Sequence, residues 1–136
     1  MIIDSRPSIY DVQEMLDCVA QARDLDAFFP KPVCSRAEYL MGGWCYLFYD
    51  DDYTPLGLCA FTFCNARGTY PWFGFMATSH CKPAHILQAR RVMLRLMASA
   101  FKQGVRVYIL NKRVEHLALK SGFKRSPRNK HVFFRR

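Results

Sequence analysis

The chain has 136 residues, about half of them apolar and 15% aromatic, which suits one packed domain spanning 1–136 and excludes a chain disordered by composition. No run of eighteen apolar residues occurs, so neither a transmembrane helix nor a membrane partner is expected. The opening "MIIDSRPSIYDVQEML" has no apolar stretch of signal-peptide length, which predicts a protein that is not secreted and stays in a cytoplasm or in a particle assembled there.

The net charge of +9 is unevenly laid down. Residues 1–66 hold ten acids and four bases, a sum of −6, and residues 67–136 hold sixteen bases and one acid, Glu115, a sum of +15. Such a split predicts a dipolar molecule whose basic half seeks a polyanion or an acidic surface. Six cysteines occur, at 18, 34, 45, 59, 64 and 81, with no CxxC pair. Cys59 and Cys64 would point to opposite faces of a strand, and His80, Cys81 and His85 lack a fourth ligand at a recognisable spacing. Reduced, mostly buried thiols and no metal are expected.

In chain order, "MIID" allows a first strand. "SIYDVQEMLDCVAQA" carries Ile9, Val12, Leu16 and Val19 at helical spacing behind Ser8 or Ser5 as cap. Two prolines in "FFPKPV" break it. "SRAEYLMG" reads as a short helix with Ser35 as cap and Glu38 at the capping-box position. "GWCYLFYDDDYTPLGLCAFTFC" reads as a β-hairpin turning at Asp50, Asp51 and Asp52, whose carboxylates fit a solvated turn. "TYPWFGFMAT" is a third strand, with Gly74 marking a bulge or a close backbone approach.

"AHILQARRVMLRLMASAFKQG" is an amphipathic helix. Ile86, Ala89, Met93, Met97 and Ala100 share one face, Leu94 and Phe101 flank it, and Arg91, Arg95 and Lys102 lie outside. Gly104 closes it. "VRVYIL" is a strand. "RVEHLALKSG" is a short helix with Val114, Leu117 and Ala118 inward, ended by Gly122 in a left-handed cap with Phe123 as the apolar contact beyond it. "KHVFFRR" is a last strand. The order is helix, helix, three strands, helix, strand, helix, strand, a mixed α/β (α+β) domain.

This order, together with "YILN…LALKSGF", resembles the GNAT N-acetyltransferase fold. The resemblance spans nearly the whole chain and rests mainly on the C-terminal half, where Asn111, Leu117, Gly122 and Phe123 stand at the offsets of the family's N-x-x-A-x-x-L-Y-x-x-x-G-F pattern. It implies a mostly antiparallel central sheet flanked by helices. It also implies an acyl-CoA site at the loop opening the long helix, here Ala84, His85, Ile86, Leu87, Gln88 and Ala89.

Three departures from the family pattern bear on chemistry. The stretch "AHILQA" has no glycine to let a backbone approach a pyrophosphate, and Ile86 and Leu87 add bulk there, although Lys82, Arg90 and Arg91 are near in sequence. Ala118 stands where the family often carries a proton-donating Tyr, and Tyr108 lies on the preceding strand. "TYPWFGFMAT" offers no acid or His as general base, which leaves only His80 and His85 beyond it.

These departures predict a non-catalytic domain with no catalytic residues and no cofactor. The chain further resembles small GNAT-like virion-associated and internal proteins of short-tailed bacteriophages. That resemblance implies a structural or assembly role in a virion or host cytoplasm, with other virion proteins as partners. DNA is a further partner for the basic half, through Arg91, Arg95, Lys102, Lys112, Arg113, Lys120, Lys124, Arg125, Arg128 and Lys130. The alternative is an acetyl-CoA-dependent N-acetyltransferase with a divergent cofactor loop after Pro83. A second alternative is a sequence-independent nucleic-acid-binding module. Against that last reading, the bases are not interleaved along the sequence with aromatics, as in single-strand binders.

Overall fold

The structure is a computed structural model that describes residues 1–19, 35–62, 71–101, 104–109 and 111–136. Seven strands form one sheet: β1 (Ile2–Asp4), β2 (Trp44–Tyr49), β3 (Pro55–Thr62), β4 (Trp72–Ala77), β5 (Val105–Tyr108), β6 (Lys124–Arg125) and β7 (Val132–Arg135), in the spatial order β1-β2-β3-β4-β5-β7-β6. Every pairing is antiparallel except β4 with β5. Four helices accompany it among the described residues: α1 (Ile9–Cys18), α2 (Arg36–Met41), α3 (Pro83–Ala100) and α4 (Lys112–Lys120). This is the mixed α+β arrangement expected from the order of elements, with the mostly antiparallel sheet that the GNAT resemblance implies.

Strand alternation decides which helices cover which face. Phe48, Cys59, Phe61, Phe73, Val105, Val107 and Phe133 point one way and pack with Ala89, Met93 and Met97 of α3 and with Phe123. Cys45, Leu47, Leu58, Ala60 and Met76 point the other way, onto Val12, Met15 and Leu16 of α1 and Ala37 and Leu40 of α2. The sheet is therefore sandwiched, with α1 and α2 on one face and α3 and α4 on the other. Phe48, Phe61 and Phe133 are fully buried, each stabilising by about 2 kcal/mol. Phe101, just past α3, stacks on Phe61 at 4.4 Å and meets Trp44 edge-on at 5.1 Å, which anchors that end of the helix to the sheet.

The local signals act as the chain predicts. The Ser8 hydroxyl accepts from the Asp11 N–H at 3.1 Å, and Ser35 accepts from Glu38 at 3.2 Å. Asp50 Oδ1 accepts from Asp52 and Thr54, at 2.9 and 2.8 Å, which builds the β2–β3 turn. Gly104 has φ +120°. Gly122 has φ +92°, its N–H donates to Leu119 O, and the Phe123 N–H reaches back to Ala118 O. That pair of bonds is a Schellman cap.

Some readings are corrected. Gly74 is not at a bulge, since it pairs with Ala60 in unbroken register. The irregularity lies between Phe48 and Tyr49, and close backbone approaches occur at Gly43 and Gly57, where a β-carbon would overlap the Phe61 and Met76 carbonyl oxygens respectively. Val19 is not part of α1, because it leaves the helix to bridge Thr78. Strand β6 was not foreseen. Cys34, Cys64 and Lys102 lie outside the described residues.

Candidate functional site

β4 and β5 run side by side for only two pairs, Trp72 with Arg106 and Phe73 with Val107. Beyond them the strands separate. The Arg106 N–H donates to Pro71 O at 2.9 Å, so the odd-numbered residues of β4 turn their backbone groups toward β5. Phe75 therefore directs its N–H and C=O into the gap. Val19, bridged to Thr78, marks the far end of this open edge.

A cavity of about 370 Å³ fills the gap between the strands and runs between α3 and α4. Phe73, Phe75 and Ala77 line it from β4, Val107 from β5 and Ile109 just past it, Ile86, Met93 and Met97 from α3, and Val114, Leu117 and Ala118 from α4. This explains why α4 has no fully buried residue: its inward face looks into a slot, not into packed core. Val114, expected inward, is 49% exposed for that reason.

Polar groups stand at both ends of the α4 wall, Asn111 and Arg113 at its start and Ser121 with Arg90 at its end. Arg90, Asn111, Arg113 and Ser121 contribute to its wall. Asn111 also caps α4, its Oδ1 accepting from the Arg113 N–H at 2.8 Å. Arg90 Nε donates to Ser121 Oγ at 2.7 Å, and that hydroxyl donates to Leu117 O at 2.7 Å, so the guanidinium ties α3 to α4 across the slot. Among the described residues the wall holds no Asp, Glu, His, Tyr, Cys or Lys. It can bind a slender apolar chain with an anionic end, and it carries no side chain suited to general acid–base catalysis.

The stretch 84–89 forms the first turns of α3, behind Lys82 as N-cap and Pro83 at N1. Its residues divide. Ile86 faces the slot, Ala89 is buried, and Leu87, expected to add bulk at the site, is instead turned outward with 52% of its surface exposed. His85 is part of the helix start, its Nδ1 accepting from the Lys82 N–H at 3.1 Å. The exposed His80 sits on the turn before it, its N–H donating to Thr78 Oγ1 at 3.2 Å. Neither imidazole lines the slot. Tyr108 alternates away from Val107 and stands beside the His131 ring at 5.6 Å. Sequence reasoning missed the slot itself, whose signal is spread over four elements.

The cysteines form no cluster with metal-ligand geometry among the described residues. Burial pushes the Cys45 thiol up to about 12, with Asp4 adding to the rise, and burial raises Cys59 well above its ordinary value. Both behave as small apolar core residues.

Of the cationic candidates, Arg91 and Arg95 lie on the exposed face of α3, and Lys112, Arg113, Lys120, Lys124, Arg125, Arg128 and Lys130 are exposed around α4, β6 and the β6–β7 turn. Arg113 belongs to the slot. Arg125 is committed to the Glu115 carboxylate, with its guanidinium also 5.2 Å from the Phe133 ring.

The splayed parallel pair inside a mostly antiparallel sheet, with a slot between the two helices behind it, is the architecture of the GNAT acetyltransferase fold. Comparison with solved structures agrees. A putative phosphinothricin N-acetyltransferase superposes with a TM-score of 0.65 at 12% identity, covering 98% of this chain and 96% of that one. The spermidine/spermine N-acetyltransferase SpeG of Vibrio cholerae gives 0.63 at 10% identity over 98% and 89%. The nucleotide-linked sugar GNAT FdhC gives 0.62 at 12% identity over 97% and 83%. At these identities the likeness is one of fold. None of the three is a virion protein. No protein-family model matches the sequence, and no curated protein matches it.

Proposed function

We propose that this chain is an acyl-CoA-dependent N-acyltransferase of the GNAT fold, with acetyl-CoA as the first donor to test. The observation that carries the proposal is the slot: β4 stops pairing with β5 after Phe73, and an apolar channel opens there with one guanidinium group near each end of its α4 wall. The fit to the donor is good along the arm and weaker at the phosphates. Phe75 offers a backbone N–H and C=O that have no partner on β5 to an amide-bearing chain. Met93, Met97, Leu117 and Ala118 enclose its apolar length, and Arg90 and Arg113 supply positive charge. At the start of α3, Pro83 has no N–H and His85 occupies that of Lys82, so charge must replace part of a backbone cradle.

The donor supplies an activated thioester. This chain's contribution is positioning and electrostatics. The Phe75 N–H is placed to polarise a carbonyl in the slot. A neutral amine attacks it, the N–C bond forms, the C–S bond breaks, and the amine proton passes to the departing sulfur through water, because Ala118 has none to give. Calorimetric titration with acetyl-CoA should give saturable binding with one site per chain. A null titration, together with no acetylation of a mixed amine panel, would sink this reading.

A second reading keeps the fold without the reaction: a structural or assembly protein, of the kind carried in bacteriophage virions. Its support is the glycine-free start of α3 and Ala118 on α4. Under it, acetyl-CoA produces no heat, and the chain co-purifies with a capsid, portal or tail protein.

A further inference from the structure

The sheet has a second feature, toward the edge opposite β1. Residues directly opposite one another on neighbouring strands share a face. Trp72 pairs with Arg106, Arg106 with Phe134, and Phe134 with Lys124. These four side chains form one row across β4, β5, β7 and β6. The row lies on the face away from α3 and α4, because its neighbours Phe73, Val107 and Phe133 point into the core beneath those helices. Two residues along β5, Tyr108 joins the same face opposite Val132, 38% exposed. Arg106 already lies 4.3 Å above the Trp72 ring.

The β6–β7 turn adds cations beside this row. The Asn129 side chain accepts from the His131 N–H at 3.0 Å and the Ser126 hydroxyl from the Arg128 N–H at 3.2 Å. Arg125 holds the turn from behind, donating to Lys130 O at 3.3 Å while paired with Glu115. The His131 ring stands between the turn and Tyr108. Arg128 and Lys130 are thus exposed on an ordered turn, next to an aromatic ring. Lys124, Arg128 and Lys130 have no carboxylate partner among the described residues. Over residues 111–136 there are nine bases and one acid, Glu115, and Arg125 neutralises it.

We infer that this sheet face binds single-stranded nucleic acid. Lys124, Arg128 and Lys130 take the phosphates, and Tyr108, with Phe134 behind it, offers a surface on which bases stack. The partner is assigned by chemistry. Cations alone would suit any polyanion, but a row in which cations alternate with aromatic rings, half-buried at Trp72, Arg106 and Phe134 and open at Lys124 and Tyr108, matches a chain that carries both phosphates and flat bases. The alternation is invisible along the sequence because each neighbour comes from a different strand. None of these residues lines the slot, so the inference stands apart from the acyltransferase reading.

The test is anisotropy of a labelled single-stranded oligonucleotide titrated with the full chain at several salt concentrations. With three or four phosphate contacts, log K should fall against log salt with a slope of about −2 to −3. Tyr108→Ala should weaken binding roughly tenfold. Lys124→Glu, Arg128→Glu and Lys130→Glu together should abolish it at moderate salt, while the circular dichroism spectrum and any acetyl-CoA titration stay as in the wild type. The wild-type slope needs no variant and tests the idea even if the triple variant fails to fold. A flat slope overturns the inference. So does an unchanged affinity in Tyr108→Ala, or tighter binding of polyglutamate or of phosphatidylserine vesicles than of the oligonucleotide. Low-salt self-association without oligonucleotide binding would instead assign the basic edge to the acidic edge of a second copy, and would overturn it too.

Discussion

Phe73 pairs with Val107, and no residue of β4 beyond Phe73 pairs with β5. Every property of the slot follows from that one termination. The separated strands leave the Phe75 N–H and C=O without a partner on β5, and α3 and α4 roof the gap instead of closing it. The smallest roof residue is Ala118. Replacing it with Trp should fill the channel from the α4 side without crossing the sheet. Ala118→Trp should then weaken acetyl-CoA at least about tenfold, read by calorimetry, while the urea midpoint moves little because the new ring enters empty space and not packed core. Unchanged affinity would place the donor elsewhere.

Asn111 has two duties. It walls the slot and it caps α4 through the Arg113 N–H. Asn111→Ala should cost about 1 kcal/mol of stability, measured by urea unfolding. Asn111→Asp should restore most of the cap, because a carboxylate accepts the same bond and suits a helix N-terminus. It should not restore donor binding to the same degree, because it sets a negative charge beside a site meant for an anionic ligand.

Two glycines predict different kinds of damage. Gly122 has room for a β-carbon, with Arg135 Nε nearest at 3.4 Å, but its φ of +92° is left-handed. Gly122→Ala should therefore cost about 1–2 kcal/mol through backbone strain alone. Gly57 has ordinary space on neither side, since an added β-carbon would run into the Met76 backbone. Gly57→Ala must push β3 from β4, and it should destabilise by about 3 kcal/mol or lower soluble yield. Urea midpoints of the two variants decide the order.

The same contrast separates what was legible in the sequence from what was not. Gly122, Phe123 and Asn111 could be read because a helix cap is local: the residues that bond to one another are within six positions. The helix faces could be read because burial repeats every three to four residues. Gly57 could not, because its neighbour is Met76, in a different strand. Nor could β6, since two residues, Lys124 and Arg125, cannot display a period of two. The slot was hidden for a related reason, since it is the absence of pairing between strands some thirty residues apart. The chemical departures were legible residue by residue, and Ala118 does line the slot. What they could not disclose is that the slot survives them. Leu87, read as an obstruction, points to solvent and so does not block the slot.

The thiols supply a pH prediction whose sign can be worked out. Cys45 is held protonated by burial, with a folded value of about 12 against an ordinary 9.0, and Cys59 is shifted the same way. A raised thiol favours the folded state only while both states keep the proton. The contribution is therefore whole below 9.0 and is lost as pH climbs toward 12, because the unfolded chain ionises first. Urea midpoints should be flat through neutral pH and fall in the alkaline range, and Cys45→Ala should flatten part of that fall. Reactivity gives an independent reading. At about pH 8, iodoacetamide followed by peptide mapping should modify the exposed Cys18 and leave Cys45 and Cys59 unlabelled until the chain is unfolded. Labelling of Cys45 at the rate of Cys18 would mean that β2 opens from β3 far more often than its packing in the cluster with Leu40 and Leu58 allows.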